Sequence, residues 1–232
     1  STLANPPPHT PTADDTFTLT VTTDAGCQDT QSFDVEVVNK PVVTFTSDKF
    51  SICEGESFAI APGLANVQNS DNYIWSAPAG YGNFDTPNFL TPIFTPSSVA
   101  ENAGVVTLTL TATDQSPCTG SKSESITLNI TPLGDISLSP VNAVVCSSED
   151  IELDIAGANY DATSLVSSPV SAIVNTGTNK IFYTPTTTDI SNGYVDIFVT
   201  ADPLSPCSST LTSPPQRITI TPEAEVAIAN SP

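Results

Sequence analysis

An alternating run of apolar and hydroxyl residues that passes an Asp and closes on a Cys occurs three times in this chain. The copies are FTLTVTTDAGC (Phe17–Cys27), VVTLTLTATDQSPC (Val105–Cys118) and YVDIFVTADPLSPC (Tyr194–Cys207). Each follows a Thr-Pro pair, at Thr10-Pro11, Thr95-Pro96 and Thr184-Pro185, and each is followed by a second alternating run. Alternation at period two marks a half-buried strand, so the recurring unit is a β-hairpin at the end of a larger repeat. The spacing agrees across separate landmarks. Cys27 and Cys118 stand 91 apart, Cys53 and Cys146 93, Cys118 and Cys207 89, and Pro132 and Pro222 90.

This period predicts the back half of a repeat over 1–41, complete repeats over 42–132 and 133–222, and the start of another over 223–232, with Glu225–Ile228 as its first strand. Within 42–132 the strands fall at Val42–Thr46, Ser57–Ala61, Asn72–Ser76, Gly80–Phe84, Leu90–Thr95, Val105–Thr113 and Glu124–Thr131, with a helical turn over Ser97–Ala103. Ser51 to Glu56 reads as a turn. The second repeat follows the same plan, with strands at Ile136–Leu138, Ile151–Ile155, Ile181–Thr184, Tyr194–Ala201 and Arg217–Thr221. About seven short strands in some ninety residues, with Gly or Pro turns between them, predict an all-β chain of tandem Ig-like sandwiches. A unit of this size can bury its own core. The short Pro-containing joints, Lys40-Pro41 and Thr131-Pro132, should resist bending and arrange the units as a rod.

The 232 residues include 21 Pro and no Met. The absence of Met predicts that residue 1 is not a translation start and that the stretch belongs to something longer. Five Lys+Arg stand against 25 Asp+Glu, a net charge of −20. That balance opposes binding to nucleic acid or to an anionic membrane, both of which need a positive face. No apolar run of 18 residues occurs, so no membrane insertion is expected. An acidic, hydroxyl-rich surface instead keeps β-proteins from pairing edge to edge. Five Cys with no CxxC suit an oxidising, extracellular setting better than a zinc site.

Each complete repeat has one Cys near its first turn and one between its last two strands. Pairing within a repeat gives Cys53–Cys118 and Cys146–Cys207. In an Ig-like topology, however, these positions lie at opposite ends of the sandwich, farther apart than a disulfide spans. In a head-to-tail array Cys53 meets Cys207 instead, and the geometry leans to that inter-domain bond, with the within-repeat pairs as the alternative.

Candidate ligand sites are sparse. Tyr81, Phe84 and Phe89, with Tyr73 and Trp75, could form an aromatic platform for sugar, but Trp75 sits where sandwich domains bury a core Trp. The second repeat has no Trp there and uses the stretch Leu165–Val174. Asp114, Asp135 and Asp202 are candidate calcium ligands in loops, yet no D-x-D-x-D-G run accompanies them and a turn role accounts for Asp at such positions. No other cofactor is implied. His9 is the lone histidine, and no nucleophile motif or carboxylate pair stands out, so no enzyme is expected.

The pattern GYGNF…LTPIFTPSSVAENAGVVTLTLTATDQSPC and its echo IFYTPTTTDISNGYVDIFVTADPLSPC resemble the PKD-like and Ig-like tandem repeats of giant Bacteroidetes-type surface proteins. These include gliding-motility adhesins exported by type IX secretion. The resemblance implies a stalk in a cell-surface adhesin or filament. Its expected partners are neighbouring repeats of the same chain, surface or motility machinery, and a glycan or surface ligand at a distal tip. The rival readings are a carbohydrate- or protein-binding sandwich module and accessory domains of a secreted hydrolase.

Overall fold

The computed structural model describes residues 8–169, 171–175 and 177–224. The expected strand Glu225–Ile228 lies outside them. The chain opens with an antiparallel hairpin, β1 (Asp15–Thr22) and β2 (Gln28–Val35), in which Phe17 faces Phe33. Their rings stack at 5.4 Å. The hydroxyl face is zipped by Thr18 with Ser32 (3.0 Å) and Thr20 with Thr30 (3.4 Å). The apolar face, with Leu19, Val21 and Phe33, stands exposed.

The first sandwich runs through β3 (Val42–Phe45), β4 (Lys49–Cys53), β5 (Phe58–Ala59), β6 (Ala65–Gln68), β7 (Tyr73–Ser76), β8 (Gly82–Phe84), β9 (Ile93–Pro96), a short helix α1 (Ser98–Ala103), β10 (Val105–Thr113) and β11 (Ser121–Thr131). One layer has the order β4-β11-β10-β7; β3-β6 and β5-β9-β8 make up the other. Strand β10 alternates as its sequence demands, with Val106, Leu108, Leu110 and Ala112 inward and threonines outward. Those threonines meet serines of β11, Thr109 to Ser125 at 2.9 Å and Thr111 to Ser123 at 2.8 Å. Cross-strand hydroxyl pairs of this kind support a sheet face that does not enter the core.

The second sandwich runs through β12 (Asp135–Ser139), β13 (Val144–Cys146), β14 (Ile151–Ala158), β15 (Val166–Ser168), β16 (Ile173–Asn175), β17 (Lys180–Tyr183), α2 (Thr187–Asn192), β18 (Tyr194–Ala201), β19 (Leu211–Thr212) and β20 (Gln216–Thr221). Its layers are β12-β14-β17-β16 and β13-β20-β18-β15, with β19 added beside β18. Each sandwich has its own buried cluster, Val43 to Ile130 in one and Ile136 to Ile220 in the other.

Two details differ from the expectation. Cys53 and Cys146 do not lie in turns; each ends a short strand, β4 or β13, that runs parallel to the last strand of its sandwich. Those strands were hidden because a parallel edge of three to five residues needs no clean alternation. Strand β14 is continuous, whereas its counterpart is broken into β5 and β6 around Ala61-Pro62-Gly63, where Pro removes a ladder donor.

The missing Trp also has a structural answer. Trp75 stands opposite Leu110 and is buried between Phe45 and Phe84. In the second sandwich Val199 takes the place of Leu110, and the residue opposite it is Ser167, buried, with its hydroxyl donating to the Ala172 carbonyl. Tyr183 there answers to Phe94, and its hydroxyl donates to the Asp189 carboxylate at the start of α2. Burial and that acceptor push the Tyr183 hydroxyl up to about 12. Burial works against the Asp189 carboxylate, but hydrogen bonds from Thr186 and Tyr183 hold it below its ordinary range.

Candidate functional site: a stapled joint

Strand β4 pairs with β11 in a register that sets Cys53 beside Thr131, the last residue of the first sandwich. The Glu54 N–H donates to the Thr131 carbonyl at 2.8 Å and holds the cysteine at that end. Pro132, Leu133 and Gly134 then lead into β12. From the other side comes the loop after β18. Its Cys207 N–H donates to the Leu204 carbonyl at 3.0 Å, making a tight turn that presents the side chain. Cys53 and Cys207 form a disulfide with Cα atoms 4.9 Å apart, closing a span of 154 residues. Within-repeat pairing is therefore not adopted: Cys53 and Cys118 lie at opposite ends of β11, whose 11 residues span about 33 Å.

Further contacts hold the joint. The Leu133 N–H donates to the Glu54 carboxylate at 2.9 Å, and the Asn159 side-chain amide donates to the Leu133 carbonyl at 3.2 Å. The Thr131 hydroxyl donates to the Ser205 carbonyl at 3.4 Å, and Cys207 Sγ lies 3.8 Å from the Thr131 carbonyl oxygen. Gly134 has no room for a side chain: a Cβ there would sit 2.6 Å from the Asn159 carbonyl oxygen. A cleft of roughly 250 Å³ lies beside the disulfide, lined by Glu54, Glu56, Leu133, Ser208 and Leu211 among others. The arrangement joins two sandwiches covalently at one point and by hydrogen bonds around it.

The other candidates are dispersed. Tyr81 and Phe84 pack against the first core, and Phe84 lies between Trp75 and Phe94. Phe89 is 63% exposed, so the three aromatics do not share one open face. The Asp135 carboxylate accepts from the Ala158 N–H at 3.0 Å. The backbone N–H of Asp114 donates to the Gly120 carbonyl at 3.0 Å, closing the hairpin turn there. The Asp202 carbonyl accepts from Asp161 N–H at 2.8 Å. Among the described residues no group of three His, Cys, Asp or Glu side chains is placed to hold a metal ion, and no helix is long and apolar enough to cross a membrane.

No known family model matches the chain, and no curated protein matches it. Solved structures do. The I-band fragment I67–I69 from titin superposes on 91% of this chain and 75% of that chain, with a TM-score of 0.54 at 12% identity. An E-to-A variant of the same three Ig domains gives 0.53 at 13%, with the same coverage. The Drosophila N-cadherin EC1–4 fragment matches 90% of this chain at 15% identity with a TM-score of 0.47, and the chain spans 58% of its length. The titin match shows the fold: tandem Ig-like β-sandwich domains.

Proposed function

We propose that this chain is a load-bearing stalk segment of a long, repetitive adhesin or filament on a bacterial cell surface, of the type IX secreted, gliding-motility class its repeats resemble. It holds a distal binding region away from the cell and does no chemistry itself. The observation that carries this reading is the Cys53–Cys207 disulfide between successive sandwiches. A free hinge would leave the two sandwiches to tumble separately, as domains with small interfaces do by default. A staple beside the linker opposes that motion. The disulfide also needs an oxidising compartment, in keeping with an extracellular location.

The leading hairpin fits the same scheme as the last two strands of a preceding repeat. Phe17 opposite Phe33 answers to Leu108 opposite Ile126, and both of the latter are buried. Its open apolar face is the half of a core that further strands would cover. The partners are neighbouring repeats, surface or motility machinery along the stalk, and a glycan or surface ligand at the tip. Small-angle scattering is the test. Two sandwiches end to end, about 33 Å along β11 in the first and about 23 Å along β18 in the second, give with their loops an elongated particle of roughly 60 Å or more. A profile matching a single compact globule refutes the stalk.

A further inference from the structure

The two cysteines of each sandwich occupy two recurring settings. In the first, the cysteine ends a parallel edge strand. The Cys53 N–H donates to the Glu56 carboxylate at 3.0 Å, and the Cys146 N–H to the Glu149 carboxylate at 3.2 Å. The next residue in each case donates its N–H to the final Thr of the sandwich, Glu54 to Thr131 at 2.8 Å and Ser147 to Thr221 at 2.9 Å. In the second setting, the cysteine sits in the loop after a long strand, inside a tight turn. The Cys118 N–H donates to the Gln115 carbonyl at 2.9 Å, as Cys207 does to Leu204 at 3.0 Å. The disulfide that exists joins one cysteine of each kind, across a joint. Cys118, exposed, and Cys146, half-buried, are left as thiols, and they too are one of each kind.

Neither can pair inside its own sandwich. Cys146 lies beside Thr221, at the end of the sheet where β18 begins with Tyr194, whereas Cys207 follows the far end of β18. The eight residues of β18 separate them by roughly 23 Å, against the ~7 Å limit for disulfide Cα atoms.

We propose that Cys146 and Cys118 are the two halves of further inter-domain staples. Cys146 bonds a hairpin-loop cysteine of a following repeat, and Cys118 bonds the edge-strand cysteine of a preceding one. Each repeat is then linked covalently at both ends and never across its middle. This rests on the array reading above. In each staple two S–H bonds break and one S–S bond forms. The two protons and two electrons pass to the disulfide of a thiol–disulfide oxidoreductase, which leaves as a dithiol.

The test is peptide mapping of the intact polypeptide isolated from its cells, with free thiols blocked by iodoacetamide before proteolysis without reductant. Cys118 and Cys146 are both expected unalkylated. Cys146 should be joined to a loop peptide and Cys118 to a peptide from the end of an edge strand. Alkylation of either, or recovery of Cys53–Cys118 or Cys146–Cys207, overturns the proposal. In a Cys146→Ser variant one new alkylated cysteine is expected, in the hairpin loop of the following repeat; none appearing also overturns it. The joint between the two sandwiches is held by Cys53–Cys207 whatever the state of Cys118 and Cys146, so alkylated Cys118 and Cys146 in an elongated particle sink the further staples and leave the stalk standing.

Discussion

Pulling on the two ends of the chain gives the sharpest consequence of the Cys53–Cys207 bond. Tension entering through the first sandwich reaches Cys53 and crosses the disulfide to Cys207. Residues 54–206 form a closed loop that carries no tension. The span is 154 residues, and at about 3.6 Å per extended residue it hides roughly 550 Å of contour. With the bond intact, the first sandwich can release only Val42 to Cys53, about 40 Å, and the second only Cys207 to Thr221, about 50 Å. With the bond reduced, each sandwich unfolds over some ninety residues and releases roughly 280 Å after its folded length is subtracted. Single-molecule force spectroscopy, with and without a phosphine reductant, reads these steps directly. Cys53→Ser should reproduce the reduced pattern without any reductant. Steps near 280 Å in oxidised protein that lacks reductant would refute the reasoning, because they require the interior of the loop to feel the load.

Two further outcomes follow from the cores. Tyr183 ionises near 10 in the unfolded chain and at about 12 in the folded one, so its contribution is complete below pH 10 and is lost as pH rises through 12. The two units correspond to about 2–3 kcal/mol. Calorimetry at pH 8 and pH 11.5 should show the second sandwich weakening, and Tyr183→Phe should flatten that loss; an unchanged slope in the variant would count against it. Trp75 is 2% exposed, so Trp75→Ala should cost the first sandwich about 3–5 kcal/mol in urea unfolding. Its indole N–H meets no hydrogen-bond partner among the described residues, so Trp75→Phe should cost clearly less, and the second sandwich should unfold as before in both variants.

The strands that alternate cleanly were legible in the residues themselves. Val105–Thr113 and Tyr194–Ala201 are bounded by Gly, Pro or Asp, and the structure keeps those bounds. The staple was legible as the favoured of two pairings, because a two-ended topology sets Cys53 and Cys118 at opposite ends of the sandwich while spacing alone leaves the within-repeat pairs open. What escaped had no periodic signal. β4 and β13 are short, lie at a sheet edge and pair in parallel, so hydrogen-bond register defines them rather than patterning. Helix α2 reads as a threonine run, and only its capping box, Thr186 with Asp189, and Gly193 at φ 76° define it. For Tyr81, Phe84 and Phe89, hydrophobicity along a chain does not say which ring turns inward; Phe84 does so to fill the space beside Trp75.

The bridge at the joint also changes what damage means for this molecule. A backbone cut anywhere from Glu54 to Pro206 leaves both outer ends attached through sulfur, since neither fragment can depart while the S–S bond holds. A protease in the surroundings must cleave outside that span, or a reductant must act with it, before the strand parts. Nicks that would split an unbridged chain leave this one joined over about two thirds of its length.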